Sequence, residues 1–173
     1  MAIHRLNHAV LFVRDVDESV DFYVRVLGFG VAMSMPGQAA FLRAPDSAND
    51  HDLGLFQVGA EAAPSAAGRG AVGLYHLAWE VDTLADLETL RDGLDAAGAL
   101  VGATDHGTTK SLYGHDPDGL EFEIVWLLPA HLLTDQDVMT TRPLDLDSEI
   151  ERYGRNTRGG LGISVPLGVT LPG

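Results

Sequence analysis

The chain of 173 residues contains two similar halves, and this internal repeat limits the folds that it can adopt. The first half opens with an apolar run around His8 (LNHAVLFV), and the second opens with a matching run around His76 (LYHLAWEV). Repeats of this kind are supersecondary units that bury their apolar faces together. We therefore expect two modules of one design, with the two histidines at equivalent positions.

Each half has the pattern of one strand, one helix and three further strands. The first strand run, Leu6–Val13, precedes a helix that Asp15 or Asp17 can cap and that Gly28 ends. Short or alternating apolar runs and helical spacings predict the remaining elements. These are strands at Gly30–Met35, Gln38–Arg43, Leu53–Val58, Leu74–Val81, Ala99–Thr104, Lys110–His115 and Leu120–Trp126, a helix capped by Asp82 or Thr83 and ended by Gly98, and a short helix within Leu144–Gly154.

This arrangement predicts an α+β fold in which two βαβββ modules form an open, curved, eight-stranded mixed sheet around a central cavity. The first module is expected at residues 1–60 and the second at 73–128, with a linker at 61–72 that is rich in Ala, Gly and Pro. Residues 129–173 form a C-terminal extension. Its irregular part is expected to lie on the domain surface or across a neighbouring subunit.

The composition restricts the partners of the chain. The net charge of −14, from 25 acidic and 11 basic residues, repels phosphate backbones and predicts no nucleic-acid partner. No apolar run reaches the roughly 20 residues of a membrane span, and the start lacks the pattern of a signal peptide. Cysteine is absent, which suits a reducing cytoplasm. We therefore expect a cytoplasmic protein that acts on a small molecule.

Three residues have the chemistry of a metal site. Glu123 lies in the last strand run, after the turn Asp116–Gly119, and joins His8 and His76 as a third donor. Two imidazoles and one carboxylate bind Fe(II), Mn(II), Zn(II) or Ni(II) and leave coordination positions open. Strand alternation places Glu121 on the same face as Glu123, so the pattern alone leaves both carboxylates as candidates.

The repeat indicates how many protein ligands to expect. Applying the spacing between the two histidines to Glu123 assigns Leu55 to the corresponding position of the first half. No carboxylate stands there, so we expect three protein ligands, with room for a substrate and one further small ligand. A metal-centred cavity follows from this interpretation.

Four segments resemble the vicinal oxygen chelate superfamily, which includes glyoxalase I, bleomycin-resistance proteins and type I extradiol dioxygenases. They are NHAVLFV, DFYVRVLGF, YHLAWEV and YGHDPDGLEFE, and together they cover roughly Ile3 to Trp126 in order. In that family the ligand carboxylate follows the turn glycine by four residues, so Gly119 implies Glu123 as the ligand.

The segment DHGTTKSLYGHDPDG most resembles the single-module extradiol catechol dioxygenases. The resemblance implies Fe(II) held by His8, His76 and Glu123, O2 as co-substrate and a small aromatic diol as substrate. It also implies His106 as an acid–base residue and Tyr113 as a hydrogen-bond donor to a substrate oxygen. His51 would line the substrate pocket, and we expect a homo-oligomer.

Two other functions fit the same superfamily. A glyoxalase-like lyase or isomerase would use Zn(II) or Ni(II) to stabilise an enediolate, usually with a second glutamate among the ligands. A non-catalytic protein would bind an antibiotic-like small molecule, and such members often lack the metal ligands. Ring cleavage is favoured because this chain has one ligand glutamate and both histidines.

Overall fold

The computed structural model describes residues 3, 5–67, 70–134 and 139–160. The described residues divide into two units. Unit 1 comprises residues up to 75 together with 115–120, and unit 2 comprises residues 76–114 together with 121–160. The irregular tail expected at the C-terminus lies outside the described residues beyond position 160.

The eight strands expected of two βαβββ modules are present, and the α+β fold class is confirmed. The first half contains β1 (Ala9–Val13), α1 (Val16–Arg25), β2 (Gly30–Met35), β3 (Ala39–Arg43) and β4 (Leu53–Gln57). The second half contains β5 (Leu77–Glu80), α2 (Leu84–Ala96), β6 (Leu100–Asp105), β7 (Thr109–His115), β8 (Glu121–Leu127), a short 3-10 helix (Ala130–Leu132), β9 (Arg142–Pro143) and α3 (Leu146–Tyr153).

The described strands are hydrogen-bonded in two sheets, with the orders β1-β4-β3-β2 and β5-β8-β7-β6-β9. The first and last strands of each module run parallel, and the others are antiparallel neighbours. The expected eight strands thus form a four-stranded and a five-stranded sheet, the second being extended by β9. Apolar alternation indicates that a strand exists, but it does not specify which edges pair.

Side chains rather than propensity alone fix the starts of the two main helices. The Asp15 carboxylate accepts hydrogen bonds from the amides of Asp17 and Glu18 over 2.9 and 3.1 Å, which makes Asp15 the N-cap of α1. Thr83 caps α2 in a capping box, because its hydroxyl accepts from the Asp86 amide while the Asp86 carboxylate accepts from the Thr83 amide.

Each helix packs on one face of its sheet, and the opposite face carries the candidate site. In unit 1 the fully buried Leu53 and Leu55 lie on the side of α1. In unit 2 the side chains of Phe122, Ile124 and Trp126 are buried on the side of α2. Because strand residues alternate, Glu123 points to the face that is turned away from α2. No helix among the described residues is long and apolar enough to cross a membrane.

The second sheet is tightly packed at Gly114, where an added methyl group would overlap the core. A Cβ atom there would lie 2.6 Å from Cζ of Phe122 and 3.2 Å from the carbonyl oxygen of Ala99. Since Phe122 is only 2% exposed, it has little room to move. Gly114→Ala should therefore lower the free energy of unfolding by about 1–3 kcal/mol, measured by urea denaturation.

Gly102 provides the matched control for this substitution. It lies on the neighbouring strand β6, and a Cβ atom there meets no other atom within 4 Å. Gly102→Ala should leave stability unchanged or raise it slightly, because alanine restricts the unfolded chain. Equal destabilisation by both substitutions would contradict the steric explanation.

Candidate metal centre

The two histidines of the repeat occupy equivalent places in the fold. His8 stands one residue before β1, and His76 stands one residue before β5. The strands are shorter than the runs Leu6–Val13 and Leu74–Val81 from which they were expected, so both histidines lie at the entry to a strand rather than inside it. The equivalence predicted from the sequence holds.

In unit 2, His76 and Glu123 lie in contact. Nε2 of His76 is 3.1 Å from Oε2 of Glu123, and the two side chains are 25% and 14% exposed. The register of the sheet explains the contact, because Ala78 on β5 pairs directly with Glu123 on β8. An imidazole nitrogen and a carboxylate oxygen therefore converge on the sheet face that is turned away from α2.

A chain of hydrogen bonds continues from this pair through two further expected residues. The Tyr113 hydroxyl oxygen lies 3.3 Å from Oε1 of Glu123 and 3.0 Å from Nε2 of His106, and its single hydrogen can be donated to only one of them. The other ring nitrogen of His106, Nδ1, lies 3.1 Å from the carbonyl oxygen of Thr140. Four of the six expected site residues are thus brought together in unit 2.

The other two expected residues lie together in unit 1. The rings of His8 and His51 are 4.6 Å apart between centroids, and the ring of Phe41 is 5.0 Å from His51. Nδ1 of His8 lies 2.8 Å from Oδ1 of Asn7, which is an acceptor, so Nδ1 carries the hydrogen. Nε2 is then the His8 nitrogen with a lone pair for a metal, in the pattern that metal-binding histidines use.

The sheet face of unit 1 turned away from α1 is apolar. Strand alternation and register place Phe41 on this face, next to Gly54. Other apolar side chains of the face are at least one third exposed: Val10, Phe12, Met33, Met35 and Phe56. Such a surface suits an apolar or aromatic ligand better than a charged one.

The register also corrects which position of the first half corresponds to Glu123. The partner of Ala78 in β8 is Glu123, and the partner of the equivalent Val10 in β4 is Gly54. The first-half counterpart of Glu123 is therefore Gly54 and not Leu55, which is buried on the α1 side. A Cβ atom on Gly54 would touch Val10 and Phe41 at 3.4 and 3.6 Å, so apolar atoms occupy the place of a second carboxylate.

The donors present fit a divalent metal in their chemistry. A histidine nitrogen and a carboxylate oxygen suit Fe(II), Mn(II), Zn(II) or Ni(II) alike. Within the described part of each unit, no group of three or more His, Asp or Glu side chains is gathered to hold an ion. His76 and Glu123 supply two donors in unit 2, and His8 in unit 1 remains the predicted third.

A buried ionic cluster lies behind the site in unit 2, and the sequence patterns did not indicate it. Lys110 is fully buried, and its Nζ is 2.6 Å from Oδ1 of Asp105 and 3.0 Å from Oε2 of Glu149 on α3. Burial raises the pKa of Asp105, but hydrogen bonds from Lys110, the Gly107 amide and Arg142 outweigh it and hold the pKa below the usual 3.8. The sequence signal for this cluster is Lys110 itself, a charged residue at a strand position that faces the helix.

The turn before β8 is held by unit 1. The Gly119 amide donates to the Asp116 carbonyl over 2.9 Å and closes the expected turn. The Asp116 side chain accepts from the Tyr23 hydroxyl over 3.2 Å, and Arg14 pairs with Asp118 at 2.7 Å. Burial raises the pKa of Asp116, and burial together with the Asp116 charge raises the pKa of Tyr23. These contacts hold the turn in place within unit 1.

A cavity of about 280 Å³ lies in unit 1 beside β1. Its lining includes Val10, Phe12, Val58 and the ion pair of Arg14 with Asp118. None of the six expected site residues lines this cavity.

Known proteins are similar to this chain in sequence and in fold. A catechol-2,3-dioxygenase of Bacillus subtilis is 28% identical over 160 residues, which are 90% of this chain and 54% of that protein. This chain thus spans about half the length of that relative. A probable lactoylglutathione lyase of Vibrio cholerae is 29% identical over 141 residues, which are 76% of this chain and 96% of that protein.

Among solved structures, a glyoxylase/bleomycin resistance protein/dioxygenase domain from Frankia sp. EAN1pec superposes with a TM-score of 0.58 at 22% identity. The match covers 75% of this chain and 96% of the Frankia chain, which supports the fold. A family sequence profile matches residues 5–124, more than half of the chain. The expected resemblance is therefore confirmed, and the chain belongs to the Glyoxalase/Bleomycin resistance protein/Dioxygenase superfamily, whose members are typically metal-dependent.

Proposed function

We propose that this protein is a metal-dependent dioxygenase that cleaves a catechol-type aromatic diol next to its two hydroxyl groups, using Fe(II) and O2. The observation that carries the proposal is the continuous series of side-chain contacts from His76 through Glu123 and Tyr113 to His106 in unit 2. It combines two metal donors with a phenol and an imidazole that can exchange protons. Such a set suits a reaction that needs both a metal and acid–base steps.

Fe(II), when bound by His8, His76 and Glu123, would supply the electronic link between the electron-rich diol and O2. The carbon–carbon bond beside the diol and the O–O bond break, and both oxygen atoms end in the ring-opened product. No external reductant is required. The proton balance requires one group to take a diol proton and one to return a proton as the O–O bond breaks.

The residues of unit 2 suit these proton transfers. His106 is partly buried and reaches the Tyr113 hydroxyl at 3.0 Å. An imidazole changes charge near neutral pH and can therefore both accept and return a proton. Tyr113 stands between His106 and Glu123, so its hydroxyl would donate to a substrate oxygen bound next to the carboxylate.

One observation favours a second function. This chain covers 96% of the probable lactoylglutathione lyase but only 54% of the catechol-2,3-dioxygenase. A glyoxalase-like lyase or isomerase would use Zn(II) or Ni(II) as a Lewis acid. Gly54, enclosed by Val10 and Phe41, leaves no second carboxylate of the kind this chemistry usually uses. The lyase or isomerase is therefore the alternative function.

Metal content and oxygen uptake distinguish the two functions. The full chain, purified without air, should contain iron in stoichiometric amount and consume O2 with a panel of catechols. A yellow ring-opened product should appear in absorbance scans. Tight zinc or nickel without O2 uptake, together with turnover of a thiohemiacetal, would contradict ring cleavage and establish the lyase.

A further inference from the structure

The C-terminal extension contacts the His106 imidazole through its main chain. Nδ1 of His106 lies 3.1 Å from the carbonyl oxygen of Thr140, and the Thr140 amide donates to the His106 carbonyl over 3.2 Å. A carbonyl oxygen can only accept, so Nδ1 must carry a hydrogen. A neutral imidazole has one ring hydrogen, and Nε2 therefore keeps its lone pair.

That lone pair lies beside the Tyr113 hydroxyl. The distance from Nε2 of His106 to the hydroxyl oxygen is 3.0 Å, shorter than the 3.3 Å from that oxygen to Oε1 of Glu123. With the hydrogen on Nδ1, Nε2 can accept the single hydroxyl hydrogen of Tyr113, which is then not donated to Glu123. With the hydrogen on Nε2, the same nitrogen would become a donor, and the contact with Thr140 would pair two acceptors.

The main chain around His106 is fixed on both sides. The His106 amide donates to the Thr109 carbonyl over 2.9 Å, and Oδ1 of Asp105 accepts from the Gly107 amide over 2.7 Å. Thr140 is anchored two residues later, where Arg142 on β9 pairs with Asp105 in the sheet and by an ion pair of 2.7 Å. The carbonyl that faces Nδ1 is thus part of a paired strand end rather than a free loop.

We propose that the Thr140 carbonyl is a positioning group: it fixes His106 in the Nδ1–H tautomer and so aims the Nε2 lone pair at the Tyr113 hydroxyl. The C-terminal extension then supplies the orienting partner of the acid–base histidine, as a third group does for a general base in other enzymes. The catalytic meaning of the tautomer rests on the proposed function, whereas the tautomer itself does not.

Nuclear magnetic resonance of the imidazole nitrogens tests the tautomer directly. The full-length protein is labelled in its seven histidine rings, and His106→Gln assigns the signals of His106. At pH about 8, where an ordinary histidine is neutral, Nδ1 should give a protonated-type signal and Nε2 a lone-pair-type signal. The reverse pattern, or the mixture that an exposed histidine gives, would overturn the proposal.

Two substitutions separate the contribution of Thr140 from that of Tyr113. Tyr113→Phe removes the hydroxyl but leaves the carbonyl, so the Nδ1–H pattern should persist, and its loss would assign the tautomer to Tyr113. Thr140→Pro removes the amide that pairs with His106, and the spectrum should shift towards a mixture. Met139→Ala is the control, because its exposed side chain (89%) is adjacent and should leave the pattern unchanged.

Kinetics connect the tautomer to the reaction. Thr140→Pro should lower kcat for catechol cleavage about tenfold, a small part of the roughly 100-fold or more that acid–base catalysis contributes, with KM changed less than about twofold.

If Thr140→Pro does not fold, the wild-type and Tyr113→Phe spectra still decide which tautomer His106 adopts. Absence of ring cleavage with the expected spectra would refute the proposed function and support the tautomer. Ring cleavage by a protein with the Nε2–H tautomer would refute the inference alone.

Discussion

Glu123→Ala is expected to abolish most divalent-metal binding and, with it, the proposed ring-cleaving activity. The Glu123 carboxylate lies 3.1 Å from the His76 nitrogen and 3.3 Å from the Tyr113 hydroxyl, so its loss removes a predicted ligand and a contact of both site residues. Losing even an outer partner of a metal ligand weakens binding by roughly 10–100-fold, and losing a ligand should cost at least about 100-fold. Calorimetric titration with Fe(II) under argon and O2 uptake measure the two effects.

Glu121→Ala is the matched control for this experiment. Glu121 lies on the same strand and the same face, two residues earlier, and it is the other carboxylate that the sequence pattern offers as a ligand. Its loss should leave metal content and turnover close to wild type. Metal loss in Glu121→Ala with retention in Glu123→Ala would show that the carboxylate is assigned to the wrong position. His8→Ala in unit 1 should lose metal as Glu123→Ala does.

Local chemistry made the ends of several elements predictable from the sequence. Gly30–Met35 forms β2 with the bounds expected, and side-chain hydrogen bonds decide which of two candidate residues caps each helix. Asp15 and Thr83 are each followed by free amides at the distance that a short side chain reaches. These features depend on neighbours within four residues, which the linear sequence specifies.

The register between strands was harder to predict. The spacing of the histidines assigned Leu55 as the counterpart of Glu123, but the hydrogen-bonded partner positions identify Gly54. The segments between first and last strand differ by one residue between the halves, and a shift of one residue turns a strand position to the opposite face. Comparing the pairing of β1 with β4 and of β5 with β8 reveals this one-residue difference in register.

The orienting partner of His106 could not be found from a motif. Strand β9 has only two residues, one of them a proline, and such a segment has no apolar period. Thr140 acts through its main chain, which every residue possesses, so its identity carries no signal. The family resemblance predicts His106, Tyr113 and Glu123, because their side chains are part of the family pattern. The main-chain group that orients His106 belongs to the C-terminal extension, which lies outside that pattern.

Lys110→Met is expected to lower the free energy of unfolding by about 3–5 kcal/mol, because it removes the buried cation that pairs with the buried Asp105 and with Glu149, which is 13% exposed. Lys110 is fully buried, and its Nζ lies 2.6 Å from Asp105 and 3.0 Å from Glu149. For a chain of this size the loss corresponds to a fall in Tm of roughly 6–20 °C.

Because the pKa of Asp105 is below 3.8 in the folded state, the ionised Asp105 carboxylate stabilises the fold above that pH, and this stabilisation is lost as the pH falls through the folded pKa. Unfolding curves between pH 3 and 7 should show this acid dependence in the wild type and lose most of it in Lys110→Met.

Arg142→Ala is the control that isolates burial. Arg142 also pairs with Asp105, at 2.7 Å, but its side chain is 59% exposed, and ion pairs of exposed side chains contribute about 0–1 kcal/mol. A second test neutralises the carboxylates: adding Asp105→Asn and Glu149→Gln to Lys110→Met should recover a large part of the lost stability, because no buried charge then remains unpaired. If the triple variant is no more stable than Lys110→Met, the cost arises from packing of the lysine stem against Tyr153 and α3, and the ionic explanation fails.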